Sequence, residues 1–221
     1  MAEALYKTKS IQSLLSKRRR KRAEFILSKV NVYEGMSILD IGCGPNGRSF
    51  EDHISPNYKI TGIDILDGEK VKTDYPNFKN LKQDAEVLSI FSDREFDLVV
   101  SIGMMEHICD EDALHNMSSE IARVSKQSVI VVPWKYEFIE PHFKFPFFQL
   151  LPYFLKVFLT KALNLHNLGK SVEFDSDYIR KNYQWFSNKR WSDVFKGLKC
   201  FVTTHLDTIA IVKTDNYKNI V

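Results

Sequence analysis

Apolar residues fall in short runs that alternate with segments of helical periodicity. Runs rich in β-branched and aliphatic residues predict buried strands, and apolar residues three and four apart in 111–125 predict a helix. The predicted strands of this central part of the chain are 37–41, 59–65, a weaker one at 80–85, 96–102 and 128–133. Strands that alternate with helices favour a parallel sheet with crossover helices.

The two ends of the chain extend this pattern. Residues 10–30 predict an amino-terminal helix, and residues 187–198 predict a capped helix. The segments "KCFVTTHL" and "TIAIVKT" follow with almost no spacer, which favours an antiparallel hairpin. We therefore predict a single α/β domain, residues 1–221: a Rossmann-like seven-stranded sheet with helices on both faces and an antiparallel last strand pair.

The first strand leads into "SILDIGCGPNG", residues 37–47, where three glycines are spaced G-x-G-x-x-G. Gly42 and Gly44 permit a tight turn that brings backbone N–H groups close to a ligand, and Gly47 allows the next helix to pack on the strand. Asp64 ends the next strand, 22 residues after Gly42, where an acid accepts hydrogen bonds from ribose hydroxyls. The pattern predicts a ligand that contains a ribose.

The segments "ILDIGCGPNG", "GIDI" and "FDLVVSIGMMEHI", in this order and spacing, resemble class I S-adenosylmethionine-dependent methyltransferases. Three details separate them from a nicotinamide dehydrogenase: Asp40 before the glycines, the acidic segment "QDAE" at 83–86, and "EH" after the fourth strand. The resemblance implies S-adenosylmethionine as cofactor and S-adenosylhomocysteine as product.

The resemblance also implies which residues contact this cofactor. They are Asp40 and the backbone of Gly42 and Gly44 at the methionine part, Asp64 at the ribose, Ile65 on the adenine face, Asp84 and the Ala85 amide at the adenine edge, and the backbone near Ser101 beneath the sulfonium. Taken singly, the three acids also fit a turn cap, a surface strand end and a loop carboxylate. Their joint spacing favours the cofactor.

Methyl transfer to a hydroxyl needs a group that takes the proton, and histidine suits that role at neutral pH. His107 follows the fourth strand and His142 follows the fifth, at the edge where ligands bind in such sheets. Glu106 would orient either histidine, or simply favour a helix start. Each histidine also fits a structural hydrogen bond. The three cysteines lack metal-ligand spacing, and we expect no metal.

The segment after the fifth strand is rich in aromatic residues. Residues 134–158 hold ten of the chain's 28 Phe, Trp and Tyr residues, punctuated by prolines. We interpret 134–170 as an insert that forms a lid: either packed on the sheet, or lining an apolar acceptor cavity or resting on a membrane surface. It loosely resembles inserts of bacterial and archaeal methyltransferases that modify glycans or lipids.

Charge is uneven along the chain. Residues 1–30 hold nine Lys and Arg against two Glu, a net +7, whereas the whole chain carries +3. The run "SKRRRKR" fits a solvated helix face, attraction to an anionic acceptor, or nucleic-acid binding. The fourth strand ends in "SIGM", without the Pro-Pro-aromatic pattern of enzymes that methylate nucleic-acid amino groups, so nucleic acid is the least favoured partner.

Together these patterns predict a methyltransferase that acts on oxygen of a small-molecule, glycan or lipid-linked acceptor. An RNA or protein methyltransferase, a non-catalytic S-adenosylmethionine-binding module and a dehydrogenase are the alternatives. No apolar run is long enough for a transmembrane helix, and the amino terminus lacks a signal-peptide core, so we expect a cytoplasmic protein with peripheral membrane contact. The oligomeric state is not encoded in these patterns.

Overall fold

The structure is a computed structural model. It describes residues 17, 20–44, 58–65, 78–83, 88–165, 173–195, 199–202 and 208–214, the last two ranges as backbone. Residues 20–27 form an amino-terminal helix. The other regular elements within the described ranges are the strands β1 Ser37–Ile41, β2 Lys59–Asp64, β3 Phe78–Lys82, β4 Phe96–Ile102, β5 Ser125–Pro133, β6 Lys199–Val202 and β7 Thr208–Thr214, and the helices α1 Glu111–Val124, α2 Tyr153–Leu163, α3 Ser176–Asn182 and α4 Asn188–Val194.

Strands β1 to β5 form a parallel sheet in the order β3-β2-β1-β4-β5. The chain moves outward in one direction from β1 to β3 and then crosses back to β4. The strand order therefore reverses between β1 and β4, and the crevice at their carboxyl ends is where open α/β sheets bind ligands. This arrangement puts the glycine turn after β1 beside the turn after β4.

The prediction of one seven-stranded sheet with an antiparallel last pair needs a correction. The parallel α/β sheet comprises five strands. The two carboxyl-terminal strands are added to its β5 edge in the order β7-β6, and β7 is antiparallel to both neighbours. Strand β7 therefore runs opposite to β1–β5, whereas β6 runs in the same direction as β1–β5. A sequence pattern identifies two adjacent strands, but it does not tell which of them joins the sheet.

Helices cover both faces of the sheet because alternate strand residues point to opposite sides. On one face, the apolar side of α1 packs with Trp191 of α4 on residues such as Val99 and Ile130. On the other face, Ile26 of the amino-terminal helix packs with Leu98 and other strand residues. Every central strand is buried from both sides, which fixes the positions of the turns that follow β1, β2, β4 and β5.

Helix α1 begins where the sequence predicts and ends at Val124, one residue earlier than predicted. The Asp110 side chain caps it by accepting a hydrogen bond from the Ala113 backbone N–H at 2.8 Å. Strand β5 starts at Ser125, directly after the helix and three residues earlier than predicted. Strand β3 likewise starts two residues earlier than predicted. The sequence also predicts a short helix near residues 47–54, and these residues lie outside the described ranges.

The segment after β5 builds a small core of its own with a helix that the sequence analysis did not predict. Phe143 and Phe148 of the insert pack with Phe174, with Ile179 of α3 and with Tyr183. The rings of Phe143 and Phe148 stack at 3.9 Å between centroids. Most of the buried aromatic residues therefore hold the insert together rather than line a cavity. Among the described helices, none combines the length and the apolar character that crossing a bilayer requires.

Candidate active site

The turn after β1 is set by backbone conformation. Gly42 and Gly44 have φ of 76° and 70°, which side chains disfavour. The Gly42 N–H donates to the Ile63 carbonyl at 2.9 Å, and a Cβ on Gly42 would lie 2.7 Å from Cγ of Met104. A Cβ on Gly44 would meet no described atom within 4 Å. Gly42 is therefore required for packing, whereas none of the described residues crowds Gly44.

Asp64 joins the turn after β1 to the end of β2. Its carboxylate accepts a hydrogen bond from the Gly44 N–H at 2.9 Å. The next residue, Ile65, leaves 67% of its surface exposed beside this turn. An acid next to an exposed apolar side chain at a strand end matches the arrangement that the sequence predicts for a ribose and an adenine face.

The other predicted cofactor residues fall into two groups. Asp40 and Ser101 are buried in neighbouring strands, and Ser101 pairs with Ile41 of β1. Asp84 and Ala85 lie outside the described residues. The structure thus brings the described members of the set to the crevice between β1, β2 and β4, and their individual contacts with the cofactor stay predictions.

The turn after β4 carries the predicted Glu-His pair. Gly103, with φ of 69°, redirects the chain into a single 3-10 turn, Met105–His107. Glu106 is 2% exposed, and its carbonyl accepts from the Gln184 N–H at 2.9 Å. Nδ1 of His107 donates to the Asn182 carbonyl at 2.7 Å. The segment that follows α3 therefore holds this turn in place.

The structure brings the three predicted catalytic residues together. Nε2 of His142 lies 3.7 Å from Oε1 of Glu106. The rings of His107 and His142 meet edge to face at 5.0 Å. One carboxylate oxygen of Glu106 and one ring nitrogen of each histidine all lie within 4.8 Å of one another. Residues that are 35 positions apart in the chain thus form one cluster at the ends of β4 and β5.

Sequence reasoning missed Glu140, which orients His142. Its side chain is fully buried and accepts from Nδ1 of His142 at 2.7 Å, from the Phe143 N–H at 2.7 Å and from Nε1 of Trp185 at 3.2 Å. A signal was present in the sequence: an acid two residues before the histidine, in "EPH". The charge of this carboxylate also acts on the buried amine of Lys156.

Burial and charge shift the ionisation of this cluster. Burial raises the pKa of Glu106 to about 7, against the opposing effect of the His142 charge. Burial lowers the pKa of His142, but its hydrogen bond to Glu140 and the charges of Glu140 and Glu106 outweigh this and raise it. Burial lowers the pKa of Lys156 to about 8. Proton transfer within the cluster is therefore accessible near neutral pH.

A cavity of about 130 Å³ opens beside this cluster. At roughly 30 Å³ for each water molecule, it admits a few non-hydrogen atoms. It lies between the ends of β4 and β5 and is lined by Arg22, Gly103, Glu106, Val131, Val132, Pro133, Pro141 and His142. The glycine turn and Asp64 are on the other side of the β1–β4 crevice, so the cavity occupies the side left for an acceptor.

Comparisons with known proteins agree with the resemblance to methyltransferases found in the sequence. A family model described as a methyltransferase domain matches residues 38–128. Comparison with functionally curated proteins found no match.

Solved structures share the fold. A SAM-dependent methyltransferase from Aquifex aeolicus is 15% identical, with a TM-score of 0.52 over 86% of this chain and 87% of that one. One from Methanosarcina mazei is 20% identical, with a TM-score of 0.54 over 85% and 95%. The PH0226 protein from Pyrococcus horikoshii is 18% identical, with a TM-score of 0.56 over 93% and 91%. At these identities the similarity establishes the fold.

The matched domain spans β1 to the middle of β5 and contains the glycine turn, Asp64 and the Glu106–His107 pair. The resemblance drawn from the sequence is thereby confirmed, and so is its cofactor. Residues 38–128 thus carry a methyltransferase domain, and the protein is a methyltransferase that takes a methyl group from S-adenosylmethionine and releases S-adenosylhomocysteine.

Proposed function

We propose that this methyltransferase transfers the methyl group to a hydroxyl oxygen of a small-molecule, glycan or lipid-linked acceptor. The observation that carries the proposal is the cluster of Glu106, His107 and His142 beside a cavity. A hydroxyl must lose its proton as it attacks the methyl carbon, whereas a neutral amine can attack without losing one first. Titratable side chains at the cavity wall match the need of an oxygen acceptor.

The cofactor and the protein have different roles in the proposed reaction. S-adenosylmethionine arrives with its methyl group already activated, so the protein mainly aligns the acceptor with the sulfonium. His142 lines the cavity, and the bond from its Nδ1 to Glu140 fixes which ring nitrogen donates. In the proposed reaction the acceptor hydroxyl enters the cavity and loses its proton at this cluster, and its oxygen takes the methyl group as the S–CH₃ bond breaks.

Product analysis tests this proposal. Purified protein is incubated with methyl-labelled S-adenosylmethionine and a metabolite and lipid extract, and labelled products are identified by mass spectrometry. We expect label on an oxygen atom. His142→Ala and His107→Ala should lower turnover at least tenfold while S-adenosylhomocysteine affinity changes less than threefold. His115→Ala is the matched control, since this half-exposed histidine pairs only with Glu111 among the described acids.

Two outcomes would refute the assignment. Label on nitrogen, sulfur or carbon of the true acceptor excludes oxygen transfer. Label on RNA or protein, with binding that falls steeply as salt rises, would favour the alternative acceptor class.

We also propose that the protein binds its acceptor at an anionic membrane surface. The reason is helix α2, which buries polar side chains and exposes aromatic ones, the reverse of a helix on the surface of a soluble protein. Lys156 and Thr160 are buried, whereas Phe154 and Phe158 are 74% and 64% exposed and lie one turn apart. Exposed aromatic residues on one helix face, together with a basic amino-terminal segment, are typical of helices that lie in the lipid interface.

Vesicle sedimentation tests the membrane contact. We expect the protein to sediment with vesicles of phosphatidylcholine and phosphatidylglycerol more than with phosphatidylcholine alone. The double variant Phe154→Ser/Phe158→Ser should lose most of this binding. Ile90→Ser is the control, because Ile90 is also exposed but lies outside the insert. Equal sedimentation of the double variant and the unmodified protein would contradict the proposal.

A further inference from the structure

The cluster at the ends of β4 and β5 has the composition and spacing of a metal site. Two histidines and one carboxylate are a common ligand set for zinc and for other divalent transition metals. Ligand atoms about 2.0–2.2 Å from an ion lie roughly 3.3–3.6 Å from each other in a tetrahedral site. The atoms of Glu106, His107 and His142 lie within 4.8 Å of one another, and two of them are already 3.7 Å apart. A small contraction would complete the site.

The groups around the histidines hold them in the orientation that a metal ligand requires. Nδ1 of His107 donates to the Asn182 carbonyl, and Nδ1 of His142 donates to Glu140. With the proton on Nδ1, a neutral imidazole carries its lone pair on Nε2. Ligating histidines usually donate their second nitrogen to a carbonyl or a carboxylate, which sets the tautomer. Both histidines of this cluster have such an outer partner.

Charge is the second, independent observation. Glu106 and Glu140 are 2% and 0% exposed, so two buried carboxylates lie on either side of the His142 ring. Oε2 of Glu106 accepts no hydrogen bond from the described residues. Among the described residues, the positive charges that act on these carboxylates come from the His142 ring when it is protonated, from Arg22 at the cavity wall and from Lys156. A divalent ion would satisfy the buried oxygen and compensate the buried charge.

We propose that Glu106, His107 and His142 bind one divalent transition-metal ion and that this ion is where the acceptor hydroxyl loses its proton. On coordination the hydroxyl releases H⁺ to water, and its oxygen then attacks the methyl carbon. The new O–CH₃ bond forms as the S–CH₃ bond breaks, and the electron pair stays on sulfur as S-adenosylhomocysteine leaves. The use of the ion rests on the proposed oxygen transfer, whereas the binding of the ion does not.

Metal titration tests the site without an acceptor. Untagged full-length protein is treated with a chelator, dialysed, and titrated with Zn²⁺ against a chromophoric zinc chelator. We expect one tightly bound ion per chain. His107→Ala and His142→Ala should each weaken that binding at least tenfold, and Glu106→Gln should do the same. His115→Ala is the control, because His115 and Glu111 also form a histidine–carboxylate pair, 3.8 Å apart, but have no third ligand among the described residues.

The titration has clear outcomes. One ion per chain that is lost in the cluster variants and kept in His115→Ala establishes the site. A stoichiometry well below one, or equal affinity in all variants, overturns it. Circular dichroism checks that each variant is folded. If the variant of the buried Glu106 does not fold, the variants of the exposed His107 and the partly buried His142 are sufficient for the test.

Activity then separates this inference from the proposed function. If the chelated protein loses O-methylation and Zn²⁺, Mn²⁺ or Co²⁺ restores it, both stand. If the ion binds at the cluster but the chelated protein methylates oxygen equally well, the catalytic role of the ion fails and the oxygen transfer stands. If the ion binds and label appears on nitrogen, the site stands and the proposed acceptor fails.

Discussion

The two halves of the crevice differ in what forms them: mainly backbone in one half and side chains in the other. The cofactor half, at the ends of β1 and β2, is made of backbone: two glycines with positive φ and one carboxylate that accepts from a backbone N–H. The acceptor half, at the ends of β4 and β5, is made of side chains, from the buried Glu106 and Glu140 to the exposed His107, that meet from three separate segments of the chain. The first half holds the residues predicted to bind S-adenosylmethionine, and the second half borders the cavity proposed for the acceptor.

This difference has an energetic consequence. Backbone turns are stabilised locally, so a change there affects ligand binding together with the turn. Buried charges depend on each other for stabilisation, because an unpaired charge in a region without water costs several kcal/mol. Substitutions in the acceptor half are therefore expected to affect stability first, and substitutions in the cofactor half to affect cofactor affinity first.

The largest effect is expected from Glu140→Ala. The substitution leaves His142, the Phe143 N–H and the Trp185 indole without their common acceptor and removes the negative charge that acts on the buried Lys156. We expect the free energy of unfolding in urea to fall by about 3–5 kcal/mol, the range for a buried pair that loses one partner. Affinity for S-adenosylhomocysteine should change less than threefold in the folded protein.

Glu111→Ala is the matched control for this measurement. Glu111 also contacts a histidine and a cation, but its side chain is 60% exposed, so its loss should cost less than about 1 kcal/mol. A cost below about 1 kcal/mol for Glu140→Ala would show that the acceptor half does not depend on this carboxylate.

The glycine turn permits an internal comparison between two neighbouring positions. Both glycines have positive φ, but only a Cβ on Gly42 would collide with Met104. Gly42→Ala should therefore cost about 1–3 kcal/mol more in unfolding free energy than Gly44→Ala, because the collision adds to the same backbone strain. Equal costs for the two variants would mean that Met104 moves aside and that packing does not fix this turn.

The contrast between the halves also explains what the sequence could predict. The strands β1 and β4 begin and end where their patterns predict, and the glycine turn was identified together with Asp64, because these features repeat at fixed local spacing. Gly62 was missed: a Cβ there would lie 2.3 Å from the Phe78 ring, a contact between two strands that local pattern does not contain. The strand ends and the turn of the cofactor half could be predicted because their determinants are local, and the cofactor contacts of its residues stay predictions.

The acceptor half was predicted only in part for the same reason. His107, His142 and Glu106 were selected because they follow strands at the ligand edge, and topology brings them together. Glu140 and the segment after α3 were not assigned to the site, because their contacts depend on how the insert folds back. Helix α3 itself is only seven residues long, too short for a clear apolar period.

Asp64→Ala tests the cofactor half through its ligand. The substitution removes the acceptor of the Gly44 N–H and the predicted acceptor of the ribose hydroxyls. We expect S-adenosylhomocysteine affinity, measured by calorimetry, to weaken by about 1–3 kcal/mol. Asp112→Ala, an exposed acid on α1, is the control and should leave affinity unchanged. Unchanged affinity in Asp64→Ala would remove the ribose assignment.

The smallest effect concerns Asp97, which lies at the amino end of β4 and thus at the opposite edge from Glu106. Asp97 is mostly buried and accepts from the Ser37 N–H at 2.8 Å and from Lys126 at 2.6 Å. Burial alone would raise its pKa, but the hydrogen bonds from Lys126, Tyr33 and Ser37 outweigh it and hold the pKa well below the usual range. Strand β4 thus has a carboxylate with a lowered pKa, Asp97, at its amino end, and a carboxylate with a raised pKa, Glu106, in the turn after its carboxyl end.

A lowered folded-state pKa means that Asp97 stabilises the fold at any pH above its unfolded value, near 4, and that this contribution is lost as pH falls below 4. We expect Asp97→Asn to cost about 1 kcal/mol at pH 7, a modest value because Lys126 is half exposed, and to cost less at pH 3. Unfolding in urea at both pH values measures the difference, with the exposed Asp112→Asn as control. An equal cost at pH 7 and pH 3 would mean that the charge of Asp97 does not stabilise this edge, and that ionisation matters for the fold only at the acceptor half.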